Sequence, residues 1–194
     1  IANAAREAMR IGDAVEQMLT GMLTVLKTND RALSRRLRGM DDTVDSLYTA
    51  VKLYLTQISR EDLDERDSRR WAEIISLTIN LEHVGDIMER IMQDLRDKKI
   101  ALRLSFSEAG MREITELHEK LVVNLRLGLS VFLNGDLKSA QMLLAQKVYV
   151  EGGLALGMYC ALLVDEQKTA ESPKTRQAAG LLLDVLTPIA KAWP

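Results

Sequence analysis

The sequence predicts an all-α protein folded as an antiparallel helical bundle, and three observations support this fold class. Only three of the 194 residues are prolines, and 47% of the residues are hydrophobic, which favours long helices around an apolar core. Apolar residues recur in alternating steps of three and four, the spacing that places them on one helix face. The polar links between the long helices are too short for a crossover, so consecutive helices are expected to pack antiparallel.

Helices are predicted from this periodicity over residues 1–27, 31–59, 68–98, 108–133, 137–166 and 175–190. Asp30 follows a turn sequence and is expected to cap the second helix, and either Asp67 or Ser68 is expected to cap the third. Gly135 is expected to end the fourth helix as a C-cap glycine. The predicted core positions include Val44, Val51 and Tyr54 on the second helix and Ile114, Leu121 and Leu125 on the fourth.

Charge and composition argue against several classes of protein. The formal net charge is -2, so no overall basic field attracts nucleic acid. Cys160 is the single cysteine, which excludes an internal disulfide and fits a reducing compartment. No stretch reaches the roughly 18 to 20 apolar residues of a membrane helix, and the N-terminus lacks the apolar region of a signal peptide. We therefore expect a cytoplasmic protein without a transmembrane segment or a nucleic-acid partner.

Two pairs of carboxylates carry the most specific functional pattern. Asp41 and Asp45 lie four residues apart on the second helix, and Glu82 and Asp86 lie four residues apart on the third, so each pair shares one helix face. Reflecting one helix onto the other about the middle of their link, between positions 63 and 64, sets Asp41 opposite Asp86 and Asp45 opposite Glu82. Gly85 would allow the two backbones to approach closely at this level.

Four carboxylates at one level of a hairpin repel one another, and there they must take up protons or share a cation. Ligands that are all oxygen suit magnesium, manganese or iron and, less typically, zinc. The competing interpretation is that the acids are solvated and paired by chance, because the chain contains 28 acidic residues. A di-metal oxidase is disfavoured, since such sites use a histidine three residues after a glutamate, which is absent at this level.

The motifs around these acids resemble those of the PhoU family. Residues 80–87 read Asn-Leu-Glu-His-Val-Gly-Asp-Ile, like the family's Asn-x-x-Glu-x-x-Gly-Asp signature, and residues 41–45 resemble its preceding acidic motif. The resemblance covers about residues 1–147. It implies a metal-binding regulatory module of phosphate transport, with Asp41, Asp45, Glu82 and Asp86 as ligands to divalent or ferric ions such as iron, zinc, manganese or magnesium.

The resemblance is strongest to the cytosolic PhoU domain of bacterial Na/Pi cotransporter-type proteins. It implies a membrane phosphate transporter as partner, a position in the cytoplasm or at the inner face of the membrane, and no enzymatic activity; a homodimer is left open. The family architecture implies a three-helix repeat over residues 1–100 and the start of a second repeat over 101–147. A second metal cluster is expected to be missing, because no acid pair after residue 136 has a mirrored partner.

The C-terminal part resembles a different family. Residues about 141–194 are similar to part of the C-terminal helical domain of acyl-CoA dehydrogenases, which suggests a chimera with a junction near residue 147. The resemblance implies that residues 148–194 add helices to the bundle without activity, since the family's catalytic glutamate lies outside this stretch. A metal-free structural bundle without inherited activity is therefore the alternative function.

The two histidines, and three arginines of the second helix, are expected to have structural or solvent-exposed roles. His83 points about 100° away from Glu82 on an ideal helix and is expected not to bind metal. His118 has no nucleophile partner and is expected to be structural. Arg35, Arg36 and Arg38 form a basic face on the second helix that could meet lipid headgroups or a transporter loop, and a solvated face is the simpler interpretation.

Overall fold

The computed structural model describes residues 1–58 and 63–147, and in these ranges it contains helices and links but no strand. The predicted all-α class is thus confirmed. The predicted helix at 175–190, the end of the helix predicted over 137–166, Cys160 and the segment 148–194 lie outside the described residues. The helices are α1 (Ala2–Thr28), α2 (Arg31–Gly39), α3 (Asp41–Ile58), α4 (Glu65–Asp94), a π-helical segment (Leu95–Ile100) and α5 (Glu108–Asn134).

The chain divides into two compact units, Ile1–Asp136 and Leu137–Pro194. All named helices belong to the first unit, and the described part of the second unit, residues 137–147, is helical. Among the helices of the described ranges, none combines the length and the apolar character needed to span a lipid bilayer.

Helix α1 forms the centre of the first unit and packs against α2, α3, α4 and α5. The alternating spacing of three and four predicts one buried face for this helix, with Ala8, Ile11, Val15, Met18 and Val25 on it. This face is confirmed as core, because the first three are fully buried and the last two are 1% exposed. Burying a side chain of the size of valine, isoleucine or methionine contributes about 1.5–3 kcal/mol to the free energy of folding. This buried face therefore accounts for much of the packing energy between α1 and its neighbours. The other four helices described in the first unit therefore pack around α1.

The second predicted helix is interrupted, which the periodicity did not show. Helix α2 ends at Gly39 and α3 begins at Asp41, with a turn at Met40. The Met40 N–H donates to the carbonyl oxygen of Leu37 at 3.1 Å, a tight three-residue turn in place of an α-helical one. Gly39 is a poor helix former, and the new N-terminus of α3 favours the carboxylates of Asp41 and Asp42 in its first turn.

The hairpin of α3 and α4 keeps the predicted register. Trp71 Nε1 donates to the Leu55 carbonyl oxygen at 2.9 Å, and Arg38 pairs with Glu89 at 2.9 Å. Positions 38 and 89 are mirror images about the midpoint between 63 and 64, so the reflection used for the acids holds in the structure. The predicted core position Tyr54 is wrong, because Tyr54 is 39% exposed whereas Leu55 is fully buried.

Two helix ends differ from the prediction. Helix α4 begins at Glu65 and is capped by Asp64, whose side chain accepts from the Asp67 N–H at 2.7 Å, so neither Asp67 nor Ser68 is the cap. Its α-helical part ends at Asp94, and the chain continues as the π-helical segment. The wider π turn brings Lys99 and Ile100 in succession to the buried side, where the Lys99 amine donates to Asn29 Oδ1.

Helix α5 closes the first unit largely as expected. Asp30 caps α2 as predicted, and Gly135 ends α5 with φ 61° while its N–H donates to the Val131 carbonyl oxygen. Leu121 was predicted to face the core and is 44% exposed, because the buried stripe of α5 runs through His118, Val122 and Leu129. His118 lies with one ring nitrogen 2.7 Å from the Leu19 carbonyl oxygen, which fits its predicted structural role.

Candidate metal centre

Three of the four predicted ligands come together where α3 meets α4. One carboxylate oxygen from each of Asp41, Asp45 and Asp86 lies within 4.8 Å of the others. Oxygens around one octahedral cation at about 2.1 Å lie about 3 to 4.2 Å apart, so a small inward movement of these side chains would complete a shared shell. The donor set is entirely oxygen, which fits hard cations.

Asp41 is the buried member of this acid cluster (Asp41, Asp45 and Asp86). Its side chain starts in the first turn of α3 and is 8% exposed. Its Oδ1 atom is buried and has no hydrogen-bond partner among the described residues. A buried carboxylate oxygen without a donor is costly, so this atom is suited to accept a bond from a cation.

Gly85 explains how α4 approaches Asp41 so closely. A Cβ atom at position 85 would lie 3.0 Å from Asp41 Oδ1 and 3.2 Å from Val44 Cγ1. The absence of a side chain therefore lets the α4 backbone cover the carboxylate. The predicted close approach at this level is present in the structure.

The electrostatic environment of Asp41 opposes its ionisation. Burial, followed by the charges of Asp45, Glu89, Asp86 and Asp42, raises the pKa of Asp41 from 3.8 to about 6. Each of these causes disfavours the ionised form of Asp41. In the absence of a cation, the carboxyl of Asp41 thus binds a proton more tightly than an ordinary aspartate does.

The other two members of the acid cluster face outward. Asp45 is exposed, and Asp86 is 39% exposed and lies 3.5 Å from the Arg90 guanidinium. This geometry leaves one side of the acid cluster open to water, which a hydrated cation would need for entry. Arg90 is itself 73% exposed, so it can leave Asp86 at little cost.

Glu82 is not part of the group of converging carboxylates. Its side chain is 20% exposed, and its Oε2 atom lies 3.7 Å from Nε2 of His83. Asp86 follows one helical turn later, so Glu82 borders the acid cluster along α4. Its role as a fourth ligand stays a prediction, and the same holds for the expectation that His83 does not bind metal.

Glu89 is a participant that the sequence interpretation missed. It contributes to the raised pKa of Asp41, and its Oε1 atom accepts from Arg38 Nε at 2.9 Å. The reflection that paired Asp41 with Asp86 also pairs Arg38 with Glu89. Applying that reflection to every charged residue of the hairpin, and not only to the acid pairs, would have found this ion pair.

Comparison with known proteins decides the family of this region. Residues 8–95 match the family model described as the PhoU domain. This part of the chain is a PhoU domain. All three converging aspartates and Glu82 lie within the matched residues, so the candidate metal centre belongs to this domain.

Relatives of the PhoU domain occur in two kinds of protein. YjbB of Escherichia coli O157:H7, provisionally named as an inorganic phosphate export protein, is 47% identical over 147 residues, which are 76% of this chain and 27% of YjbB. YjbB of Salmonella typhimurium is 46% identical over the same length. The phosphate-specific transport system accessory protein PhoU of Escherichia coli K12 is 27% identical over 120 residues, 59% of this chain and 50% of that protein.

The chain thus spans about a quarter of the length of the YjbB proteins and about half of the PhoU accessory proteins. No solved structure gives a significant match. The sodium-coupled cotransporter context predicted from the sequence differs from the name of YjbB, which refers to phosphate export. The resemblance of residues 141–194 to acyl-CoA dehydrogenases finds no support in these matches and stays a prediction.

Proposed function

We propose that this PhoU domain binds metal ions through the acid cluster and regulates a membrane phosphate transporter from its cytosolic side. The observation that carries the proposal is the convergence of Asp41, Asp45 and Asp86 around a buried Asp41 oxygen without a hydrogen-bond partner. Such an arrangement of like charges is stabilised when a cation takes the place of the missing donors. Glu82 would supply a further oxygen from the neighbouring turn of α4.

The ion would be iron, zinc, manganese or magnesium in a divalent or ferric state, because the donors are carboxylate oxygens alone. Its contribution would be charge: it would neutralise the acid cluster and cross-link α3 to α4. The relatives are named for phosphate export and for an accessory role in phosphate transport. A binding and regulatory role therefore suits it better than catalysis.

The transport role rests on the relatives. YjbB is named for phosphate export and PhoU for the phosphate-specific transport system, so phosphate transport is the process that both names share. A transporter of the export type is favoured over the Na/Pi cotransporter predicted from the sequence, since the 47% identical relative is named for export. Metal binding to the PhoU domain would change its effect on the activity of the transporter.

Metal analysis of protein purified without chelator tests the site. We expect stoichiometric metal in the wild type, little in Asp41→Asn/Asp86→Asn and a reduced amount in Glu82→Gln. Asp42→Asn is the matched control, because Asp42 adjoins Asp41 in the first turn of α3 but is exposed and outside the acid cluster. Equal, negligible metal in all four proteins would exclude the metal-binding proposal.

Phosphate flux tests the regulatory part of the proposal. Cells producing a full-length YjbB-type protein that carries this region would be compared with cells producing its Asp41→Asn/Asp86→Asn variant. We expect the variant to change net export of labelled phosphate, with Asp42→Asn leaving it unchanged. Unaltered flux in a variant that has lost its metal would separate metal binding from transport.

A metal-free structural bundle is the second candidate, and one observation favours it. Arg90 lies beside Asp86, and the raised pKa of Asp41 lets its carboxyl keep a proton to a higher pH than an ordinary aspartate, so the acids have partial compensation without a cation. Thermal melting with and without chelator separates the candidates, because an ion that binds only the folded state raises the melting temperature. Identical melting curves would support the structural bundle.

A further inference from the structure

A second charged region lies on the other side of the α2–α3 break. It is a cavity of about 310 Å³, and its charged lining consists of Arg31, Arg35, Arg38, Arg96 and Asp97. Four arginines and one aspartate thus line one small space in a chain whose formal net charge is -2. We refer to this cavity as the arginine pocket. It shares no residue with the acid cluster.

The helices place these arginines together by simple geometry. Arg31, Arg35 and Arg38 follow one another in steps of four and three, so they project from one face of α2. Arg96 comes from the π-helical segment after α4 and stands opposite Arg31 in the register of the hairpin. Donors from two chain segments therefore converge on the cavity.

Carboxylates neutralise only part of this positive charge. Arg38 pairs with Glu89, and Arg96 donates from Nε and Nη2 to Asp97 at 2.7 and 3.0 Å. Arg31 and Arg35 have no acidic partner within residues 1–58 and 63–147. The hydrogen bond from Arg96 lowers the pKa of Asp97, and the charges of Arg38 and Lys98 lower it further, as expected in a positive field.

A buried hydroxyl adds a neutral donor at the wall of the arginine pocket. Ser34 is 5% exposed, and its Oγ contacts the Met92 sulfur at 4.0 Å, a weak acceptor. A hydroxyl with such a poor partner is free to turn toward a stronger acceptor. The wall therefore offers both charged and neutral hydrogen-bond donors.

We propose that the arginine pocket binds a phosphate group, either free inorganic phosphate or the headgroup of an anionic lipid. Guanidinium groups bind the oxygens of phosphate in pairs, and several of them around one concave space suit a compact oxyanion with several acceptors. Arg31 and Arg35 supply the unpaired charge, and Ser34 supplies the hydroxyl. This proposal concerns a site separate from the metal centre and goes beyond the proposed function.

Calorimetric titration of the chelator-treated chain with inorganic phosphate at low ionic strength tests the proposal. We expect saturable binding to the wild type that weakens about tenfold or more in Arg35→Gln, since a charge-assisted hydrogen bond is lost. Arg36→Gln is the matched control: Arg36 is adjacent on α2 and exposed, carries the same charge and does not line the pocket. Circular dichroism verifies that both variants stay folded.

A parallel arm distinguishes the two sources of phosphate. Co-sedimentation with vesicles of phosphatidylglycerol and phosphatidylcholine, compared with phosphatidylcholine alone, measures headgroup binding in the same variants. Binding that Arg35→Gln weakens and Arg36→Gln preserves supports the proposal in either arm and identifies the source. No saturable binding in both arms, or equal weakening by both substitutions, overturns it.

The metal centre is tested independently in the same titrations. Asp41→Asn/Asp86→Asn is expected to keep the phosphate affinity of the wild type, because neither residue lines the arginine pocket. If phosphate binding is lost in this variant and retained in Arg35→Gln, the arginine pocket is not the phosphate site and the proposal is overturned. Failure of the metal analysis would leave these outcomes unaffected.

Discussion

The acid cluster and the arginine pocket lie on opposite sides of the break at Met40, and in each of them charges of one sign predominate. In the acid cluster, Gly85 lets a helix backbone cover Asp41, so one carboxylate oxygen loses its water. In the arginine pocket, the arginines line a cavity, and the side chains of Arg38 and Arg96 are 40% and 49% exposed. The two regions contain similar numbers of charged groups, mostly of opposite sign, but these groups differ in their exposure to water.

This difference shows that burial, more than the number of charges, decides whether a counterion is required for stability. Exposed like charges cost only a few tenths of a kcal/mol per pair, whereas a buried unpartnered group costs about 1–3 kcal/mol. The acid cluster is therefore expected to change the stability of the fold when its cation or a carboxylate is removed. The arginine pocket is expected to change ligand affinity with little effect on stability.

Metal removal should have the largest effect on stability. An ion present at about 1,000 times its dissociation constant stabilises the folded state by about 4 kcal/mol, and Asp41→Asn/Asp86→Asn should abolish this gain. Urea unfolding with manganese or with chelator measures it. Arg31→Gln/Arg35→Gln should keep the full metal-dependent gain; a similar loss in that variant would erase the distinction between the two regions.

The next effect is the response of the metal-free protein to pH. The pKa of Asp41 is about 6 when folded and 3.8 ordinarily, so the folded state binds the proton more tightly and loses this advantage as the pH rises from about 4 to 6. In chelator, Asp41→Asn should therefore be more stable than the wild type by about 3 kcal/mol at pH 7 and equal to it below pH 4. Urea unfolding across this range measures the difference.

Carboxyl groups that do not interact with Asp41 titrate alike in both proteins, so their contributions cancel in that comparison. A constant difference between pH 4 and pH 7 would show that Asp41 titrates normally. The acid cluster would then resemble the solvated arginine pocket.

Gly85→Ala should have an intermediate effect. The new methyl group would lie 3.0 Å from Asp41 Oδ1, whereas a methyl group at Gly128 meets no atom within 4 Å. Both substitutions gain the same helix propensity, so the difference between them isolates the packing at the acid cluster. We expect Gly85→Ala to be about 1–3 kcal/mol less stable than Gly128→Ala in urea. Equal stability would indicate that α3 and α4 are not closely packed there.

Arg38→Gln should have the smallest effect on stability. Its ion pair with Glu89 is about one-third exposed on each side, and such pairs contribute up to about 1 kcal/mol. The substitution also leaves Glu89 uncompensated beside Asp41, so the metal-free protein should lose stability mainly above pH 6. A loss that is larger than for Gly85→Ala would place Arg38 within the buried network and not at its border.

Much of this architecture could be predicted from the sequence. The heptad spacing of α1 identifies the face that is buried, and the short link between α3 and α4 determines which of their residues lie opposite one another. The same reflection placed Asp41 beside Asp86. The turn at Met40 could not be predicted, because Gly39 alone rarely ends a helix and the apolar spacing continues through it. Glu82 was grouped with the others by spacing, yet spacing does not specify how far a side chain turns from its helix.

The ion pair between Arg38 and Glu89 joins the two charged regions, since Arg38 lines the arginine pocket and Glu89 acts on Asp41. An oxyanion that draws the Arg38 guanidinium away would leave the charge of Glu89 uncompensated beside the acid cluster. A cation bound by the acid cluster would in turn attract Glu89 away from Arg38. Thermodynamic reciprocity then requires that each solute change the affinity of the other by the same factor. The binding of phosphate and the binding of metal would in this way be coupled through one ion pair.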